Sequence, residues 1–556
     1  MRMKGADIIA NSVKSLNVDV VFGIVGIPVI EIAESLQSLG VRFIGFRNEQ
    51  AASYAASAYG FLTGRPGICL VVGGPGVLHA MAGVGNASAN GWPLLLLAGS
   101  SESHQRNKGA FQELDQISLL APHTKLATRP SSCYDVSQCI ERAYRAAHYG
   151  RPGPTYVDLP ADLIQGDAKD AVEFLHQPHL PSRNPAHPSR IEQVARLLRN
   201  AKAPLIVIGK GAAYAQAEVA MREFIERTNI PFLPTPMGKG VIADSHPSNT
   251  ASARSTALKQ ADVVIVFGAR LNWILHYGEP PRWARNPTIV QVDIAAEELG
   301  QNGGSSEYAL QGDAGMVAKQ LTASLGGWTY NTSSSYIQDL KASKEKNANA
   351  AAAKMQSDAL PMSYQRVYAE ISRAIKDMDV VFVSEGANTM DVARSAFNVE
   401  LPRHRLDAGT HATMGVGMGY AIAAAIAYPG KKIIAIEGDS AFGFSAMELE
   451  TAARNKLPMV VFVMNNNGVY HGLDEADYLN RTGPLPCTAL SYETRYDLIA
   501  QGCGAKGFVV RTPEELQRAT RDALQNDGPS LVNVLMDPGS KTKLEFGWLS
   551  STKAKL

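Results

Sequence analysis

Cysteine is scarce in this 556-residue chain. Its five cysteines, Cys69, Cys133, Cys139, Cys487 and Cys503, are odd in number and form no Cys-x-x-Cys pair. That argues against a disulfide framework and a zinc site and implies a reducing compartment. Net charge is nearly absent as well. The formal value of +1 leaves no broad electrostatic footprint for nucleic acid or anionic lipid. Long apolar runs are missing: Gly415 to Tyr428 is the longest candidate, and it is too short and glycine-rich to span a bilayer. Residues Met1 to Asn11 lack an apolar signal core, so no leader is expected. The expectation is a soluble protein that neither binds nucleic acid nor spans a membrane.

What is present is an ordinary globular mixture, with 45% hydrophobic and 19% charged residues, enough to build large cores. A chain of this length predicts about three domains at roughly 100–200 residues each. In the first third, Val20–Phe22, Phe43–Phe46, Cys69–Val72 and Leu94–Ala98 read as buried strands, alternating with helices at Ile30–Leu39, Glu49–Leu62 and Leu78–Ala89. Continuous apolar strands separated by helices imply parallel sheets with crossover helices. A Pro- and His-rich stretch, 165–190, reads as a linker, and a second βα block begins at Leu205–Ile208 and includes Val263–Phe267 and Ile289–Val292. A second linker, 326–361, leads to strands at Val380–Val383, Ile433–Ile436, Val460–Met464 and Leu531–Leu535. The fold class is therefore α/β, with three doubly wound parallel-sheet domains at 1–180, 190–345 and 360–537, and a tail at 538–556.

The chemistry gathers at strand ends. Glu437-Gly438-Asp439-Ser440 follows one predicted strand and Asn465-Asn466-Asn467-Gly468 the next. Open α/β sheets bind ligands at the carboxyl ends of their strands. Asp439 offers a carboxylate and Asn466 an amide oxygen to a hard cation such as magnesium, which completes its octahedron with phosphate oxygens and water. Gly438 and Gly468 let the backbone approach phosphate, and a helix predicted to start near Phe444 presents free N–H groups. Arg47-Asn48-Glu49-Gln50-Ala51-Ala52 opens an alanine-rich helix, and Gly409-Thr410-His411-Ala412-Thr413-Met414-Gly415 precedes a glycine-rich one. Gly109-Ala110-Phe111-Gln112-Glu113 lies in the loop after Leu94–Ala98, and Gly74-Pro75-Gly76 starts a helix carrying His79. Taken singly, each of these has a bland reading as a strand-end turn, a dipole-favoured acid, core filler or a satisfied structural histidine.

Together they resemble the thiamine diphosphate enzymes, whose Gly-Asp-Gly signature is followed by a paired asparagine some 27 residues on, the spacing of Asp439 and Asn466. Ser440 departs from that signature as the acyl-CoA branch of the family does. The resemblance implies that Glu49 hydrogen-bonds the cofactor's pyrimidine ring and promotes its imino tautomer, which then deprotonates the thiazolium C2. A carboxyl group with a raised pKa suits that task. It implies further that Met414 wedges between the two rings and that the Ala412 carbonyl receives the exocyclic amine. Glu385, Ala387, Asn388, Gly438, Asp439, Ser440, Ala441, Asn466, Gly468, Val469 and Tyr470 complete the expected cofactor contacts. Asp439, Asn466 and Gly468 are the expected magnesium ligands. Gln112 and His79 are candidate catalytic residues beside Glu49.

Pro234-Thr235-Pro236-Met237-Gly238-Lys239-Gly240, Gly268-Ala269-Arg270-Leu271-Asn272-Trp273 and Arg405-Leu406-Asp407-Ala408-Gly409 are similar to the 2-hydroxyacyl-CoA lyase family, with oxalyl-CoA decarboxylases nearly as similar. The resemblance implies a middle domain that binds the ADP part of coenzyme A through Arg151, Gly209, Lys210, Arg270, Asp293 and Ile294. Arg394 and Arg403 to Arg405 are further candidates near the pantetheine. Arginine forks suit phosphate, and an acid after a strand suits ribose hydroxyls. The implied reaction cleaves the C1–C2 bond of a 2-hydroxyacyl-CoA to formyl-CoA and an aldehyde one carbon shorter, as in fatty acid alpha-oxidation. The alternative is decarboxylation of oxalyl-CoA. Phe111-Gln112, where bacterial decarboxylases carry tyrosine and an acid, and the tail Phe546-Gly547-Trp548-Leu549 favour the lyase. Acetolactate synthase and a non-catalytic binding homologue are more distant readings. The family implies a homodimer or homotetramer with sites shared between chains. The terminal Ala554-Lys555-Leu556 resembles a peroxisomal address read by an import receptor.

Overall fold

The computed structural model describes residues 2–539 except 177 and 179–181. The tail residues Phe546 to Leu549 and the expected address Ala554–Leu556 lie outside the described residues.

Three parallel sheets organise the chain. The first has the order Arg42–Gly45, Val20–Gly23, Gly67–Val71, Leu94–Ser100, Pro154–Pro160, Ala127–Thr128. The second runs Phe232–Pro234, Pro204–Ile208, Val263–Phe267, Thr288–Asp293, Leu310–Gln311. The third runs Arg405–Asp407, Val380–Glu385, Lys432–Gly438, Met459–Asn465, Ser530–Leu535, Lys506–Val510. In each, the chain leaves its first strand towards one edge and returns across it to build the other. That reversal opens a crevice at the carboxyl ends of the strands. The sequence reading missed Pro154–Pro160, Lys506–Val510 and the short strands Phe232–Pro234 and Arg405–Asp407. The helix expected near Phe444 begins earlier, at Asp439–Phe442, and a second one starts at Glu448.

The helix that carries Glu49 shows why local sequence becomes this fold. Asn48 caps Glu49–Thr63 by accepting a hydrogen bond from Gln50 N, and Gly64 ends it at φ 71°. Its alanines at 51, 52, 55, 56 and 58 are buried, so a second backbone can approach closely. The Gly417–Ala427 helix of the third domain does so, and a Cβ on Gly419 would lie 2.7 Å from the Ala51 carbonyl oxygen. Beside this crossing the Tyr420 ring lies 5.4 Å from Trp92, Trp92 stacks at 5.0 Å on Phe61, and Phe61 stacks at 6.4 Å on Tyr214. Aromatic pairs at these separations contribute about 0.5–1.5 kcal/mol each beyond their burial. The column joins all three domains. No helix of the described residues is long and apolar enough to cross a membrane.

Candidate active site and nucleotide pocket

In the third domain, Asp439 stands at the end of its strand and is buried. Its carboxylate accepts from Ser440 N at 2.7 Å and Gly468 N at 3.2 Å, and no side-chain cation pairs with it among the described residues. Burial pushes this carboxyl up to about 7, against the pull of those backbone amides. An unpaired buried carboxylate calls for a cation. Asn466 donates its amide nitrogen to the Tyr470 carbonyl at 3.1 Å, which leaves the oxygen end available to a metal. Asn388 donates to the same carbonyl at 3.0 Å. No group of three or more His, Cys, Asp or Glu suited to a metal occurs among the described residues. One carboxylate, one amide oxygen and backbone oxygens make a small oxygen set of the kind magnesium takes alongside phosphate and water. A cleft of about 450 Å³ opens beside Asp439, Ser440, Gly443, Phe444, Leu490 and Tyr496. Gly386, at φ 97°, comes close enough to Gly438 that a Cβ would sit 3.2 Å from the Gly438 amide nitrogen, so this turn is closed to larger residues. These features fit a metal-bound diphosphate. Ala387 and Ala441 lie in the first turn of their helices, and Val469 is exposed.

Glu385 supports the loop that ends at Gly415. It is fully buried, and its carboxylate accepts from the amides of Gly415 and Gly417. Glu437 pairs with it in register on the next strand, and both of its oxygens are buried without a partner. Burial raises both acids, Glu385 to about 7 and Glu437 well above the usual range, helped there by the Glu385 charge. A protonated Glu437 beside Glu385 is the consistent state. The loop they carry includes Ala412, at φ 50°, and Met414. Sequence did not single out Glu437, because its role exists only once two strands are side by side.

In the first domain, Glu49 and His79 meet: Glu49 Oε2 is 3.0 Å from His79 Nδ1. Gln112 lies in a loop braced by Glu113, whose carboxylate accepts from the amides of Asn107, Gly109 and Ala110. Those bonds draw the Glu113 carboxyl below its ordinary value. Gln112 has φ 56°, and its carbonyl packs so closely on Gly74 that a Cβ there would be 2.6 Å away. Non-glycine residues at positive φ concentrate at functional sites; Gln112, Ala412 and Tyr470, at φ 74°, are three of them here. Glu49 does not line the cleft beside Asp439.

The middle domain opens a cavity of about 320 Å³ against the other two, and Arg151, Lys210, Arg270, Asp293 and Ile294 line it as expected. Gly209 and Arg394 do not. Gly209 is a packing glycine, since a Cβ would lie 2.2 Å from the Gly268 carbonyl oxygen. Arg394 pairs with Asp391 at 2.7 Å and Asp407 at 3.4 Å. Arg403 donates to the Ala213 carbonyl, and Arg405 is fully buried against Ser384. Arg151 pairs with Glu298, and burial raises Asp293. Burial, with Arg270 and Arg151 alongside, pushes Lys210 down to about 7. Sequence reading missed Thr410 as a junction. Its Oγ1 bonds Lys210 Nζ at 3.0 Å and Arg270 Nη2 at 3.2 Å, its carbonyl accepts from Trp273 Nε1 at 2.8 Å, and its amide donates to Asn90 at 3.0 Å. The loop that carries Ala412 and Met414 and the basic cavity thus meet at one residue.

Family comparisons agree with this geometry. Residues 3–119 match the N-terminal TPP binding domain of thiamine pyrophosphate enzymes, residues 191–321 the central domain, and residues 384–534 the C-terminal TPP binding domain. The chain belongs to the thiamine pyrophosphate enzyme family. Within it, the chain is 46% identical to 2-hydroxyacyl-CoA lyase 1 of Homo sapiens over 564 residues, covering 99% of this chain and 97% of the relative. It is 42% identical to 2-hydroxyacyl-CoA lyase of Saccharomyces cerevisiae, covering 97% of each, and 40% identical to oxalyl-CoA decarboxylase of Escherichia coli, covering 97% and 96%.

Proposed function

We propose that this chain is a thiamine diphosphate- and magnesium-dependent carbon–carbon lyase acting on 2-hydroxyacyl-CoA. The observation that carries the reading is Thr410, where the loop bearing Ala412 and Met414 meets the Lys210 and Arg270 side of the cavity. A thioester anchored there by its nucleotide would send its acyl end towards the cofactor. Full-length similarity to 2-hydroxyacyl-CoA lyases supports the same substrate class. Arg151, Lys210 and Arg270 would hold the diphosphate and Asp293 the ribose. Asp439 and Asn466, with the Gly468 backbone, would hold the metal.

Bound thiamine diphosphate supplies the carbon nucleophile and the electron sink. Glu49 holds the proton that sets the pyrimidine tautomer, with His79 at 3.0 Å as its exchange partner. The Gln112 amide orients the substrate's 2-hydroxyl. With the cofactor bound, cleavage of C1–C2 would release the aldehyde, and the proton lost from the 2-hydroxyl would be balanced by the one gained at C1 of formyl-CoA. The domain limits 1–180, 190–345 and 360–537 belong to this proposal.

One site needs two chains in this reading, because in the family the domain that carries Glu49 meets the domain that carries Asp439 across subunits. Exposed Ile27, Leu78 and Phe111 in the first domain, and Phe444, Met447 and Val469 in the third, are the apolar surface a homodimer would cover. We also place the protein in the peroxisome through Ala554-Lys555-Leu556. Loss of import on deleting those three residues is the check, in cells lacking a full-length copy.

Oxalyl-CoA decarboxylase is the second reading, favoured by 40% identity over 547 residues. Purified protein should be given 2-hydroxyacyl-CoA and oxalyl-CoA in parallel, with and without thiamine diphosphate. Cofactor-dependent aldehyde and formyl-CoA from the first substrate, faster than carbon dioxide from the second, is the expected result. The reverse order would assign the decarboxylase.

A further inference from the structure

The helix that presents Glu49 is held at its start by the third domain of the same chain. Glu448 begins the Glu448–Arg454 helix, a few residues beyond the Asp439 turn, and it is 1% exposed. Its Oε1 accepts from Arg47 N and Asn48 N, both at 3.1 Å, and its Oε2 lies 3.3 Å from Arg47 N. Thr451 Oγ1 donates to Oε2 at 2.7 Å and fixes the carboxylate plane. Two further bonds tie the same element to the same strand: Arg454 Nη2 donates to the Gly45 carbonyl at 2.6 Å, and Arg42 Nη2 to Asn455 at 3.4 Å.

We propose that Glu448 is a positioning residue for Glu49: from the diphosphate-binding domain it fixes the two amides immediately before the acid. The proposal rests on the assignment of Glu49 as the group that sets the cofactor's tautomer. A carboxylate suits the place for three reasons. The start of a helix carries positive potential. Two converging amide donors need an acceptor with several lone pairs. Glu448 is itself buried, so the donors meet a carboxylate screened from water. Burial pushes the Glu448 carboxyl up to about 7, against the pull of Thr451, the amides of Arg47 and Asn48 and the Arg47 guanidinium. Asn48 already caps the helix through Gln50 N, so the helix does not need Glu448 in order to form. What Glu448 adds is the helix's position relative to the third domain. A misplacement of 1 Å at a reacting group can cost about 10²-fold in rate.

The test uses Glu448→Ala, Glu448→Met, which keeps the volume and accepts no bond, and Glu448→Gln, which keeps one oxygen facing both amides. In protein stripped of thiamine diphosphate, backbone hydrogen exchange at Arg47 and Asn48 should rise at least about tenfold in the Ala and Met variants, while Ala55 to Ala58 stay protected. In the reloaded enzyme, kcat and exchange of the thiazolium C2 proton should fall together by about tenfold or more, with KM for the thioester within about twofold. Glu448→Gln should recover most of both. Amides that open while kcat and C2 exchange stay normal would make the contact a structural tie only and overturn the proposal. Unchanged amide protection would overturn it as well, and so would collapse of both the Ala and Met variants, which would make Glu448 a folding residue. Normal C2 exchange in Glu49→Gln would overturn the Glu49 assignment itself; normal exchange in Glu448→Ala beside an impaired Glu49→Gln removes only the positioning role.

Discussion

Numbered along the chain, the strands of the first and third sheets run in the same order, second, first, third, fourth, sixth, fifth. Equivalent loops then carry different chemistry. After the second strand, the first domain starts a helix almost at once with Glu49; the third inserts the loop with Ala412 and Met414 before its helix. After the third strand, the first domain has the Gly74-Pro75 turn leading to His79, and the third has Gly438-Asp439-Ser440. After the fourth, Gln112 answers to Asn466. One domain presents neutral and proton-exchanging groups; the other presents a buried carboxylate without a cation and an amide turned by Tyr470. Topology settles where ligand-facing loops emerge, and in the proposed function a few side chains divide proton handling from metal and phosphate handling.

The sharpest break in that division is Glu49→Gln. The amide cannot deliver the ring proton, so kcat and C2-proton exchange should fall by about 10²–10⁴-fold while cofactor and magnesium stay bound. Proton exchange at the wild-type rate would remove Glu49 from the mechanism. Asp439→Ala should fail differently. Magnesium-dependent cofactor retention, read by equilibrium dialysis, should weaken by at least about 100-fold, at or beyond the upper end for metal-supporting groups. Retention as in the wild type would contradict the metal assignment. Mixing Glu49→Ala with Asp439→Ala chains tests whether the two halves come from different subunits. Some activity should return on subunit exchange, and proven mixed dimers without any recovery would count against a shared site.

A smaller effect separates the middle sheet from both. Lys210 sits at about 7 because burial and two arginines disfavour its charge. A bound diphosphate favours the charge, so ADP binding should take up protons. Affinity should weaken as pH rises above 7, by up to about tenfold per unit. Titration calorimetry at pH 8 in buffers of different ionisation enthalpy should show that uptake, and Lys210→Met should abolish it. The smallest effect concerns the crossing of the Glu49 and Gly417 helices. Gly419→Ala puts a methyl 2.7 Å from the Ala51 carbonyl oxygen and should cost about 1–3 kcal/mol of stability. A thermal melt unchanged from wild type would mean that the helices separate easily.

Much of this was legible in the sequence, for reasons that differ between residues. Buried parallel strands read as apolar runs, so Val263–Phe267 was located to the residue. Strand-end polar clusters at Asp439 and Asn466 announce themselves by spacing. Pro154–Pro160 was missed because its Pro, Asp and Thr break the apolar pattern; Asp158 is buried only because Arg129, Gln116 and Tyr156 converge on it. The family resemblance implied Glu385 as a cofactor contact; its carboxylate turns inward to Gly415 and Gly417. Side-chain direction at a strand end depends on what packs beside it.

By itself the sequence determined the three α/β units and the polar clusters at Asp439 and Asn466, because periodicity, turn chemistry and short-range spacing are local properties; the acid at 49 and the basic set around Lys210 were implied by the family resemblance. Only the tertiary structure decided which groups meet. It brought His79 to Glu49, Thr410 to Lys210, Glu437 to Glu385 and Glu448 to the start of the Glu49 helix. Three of these four pairs join residues of different sheets or neighbouring strands far apart in sequence, and all four lie beyond the reach of local pattern. Their energies come from burial and convergent hydrogen bonds, which exist only after the chain has closed on itself.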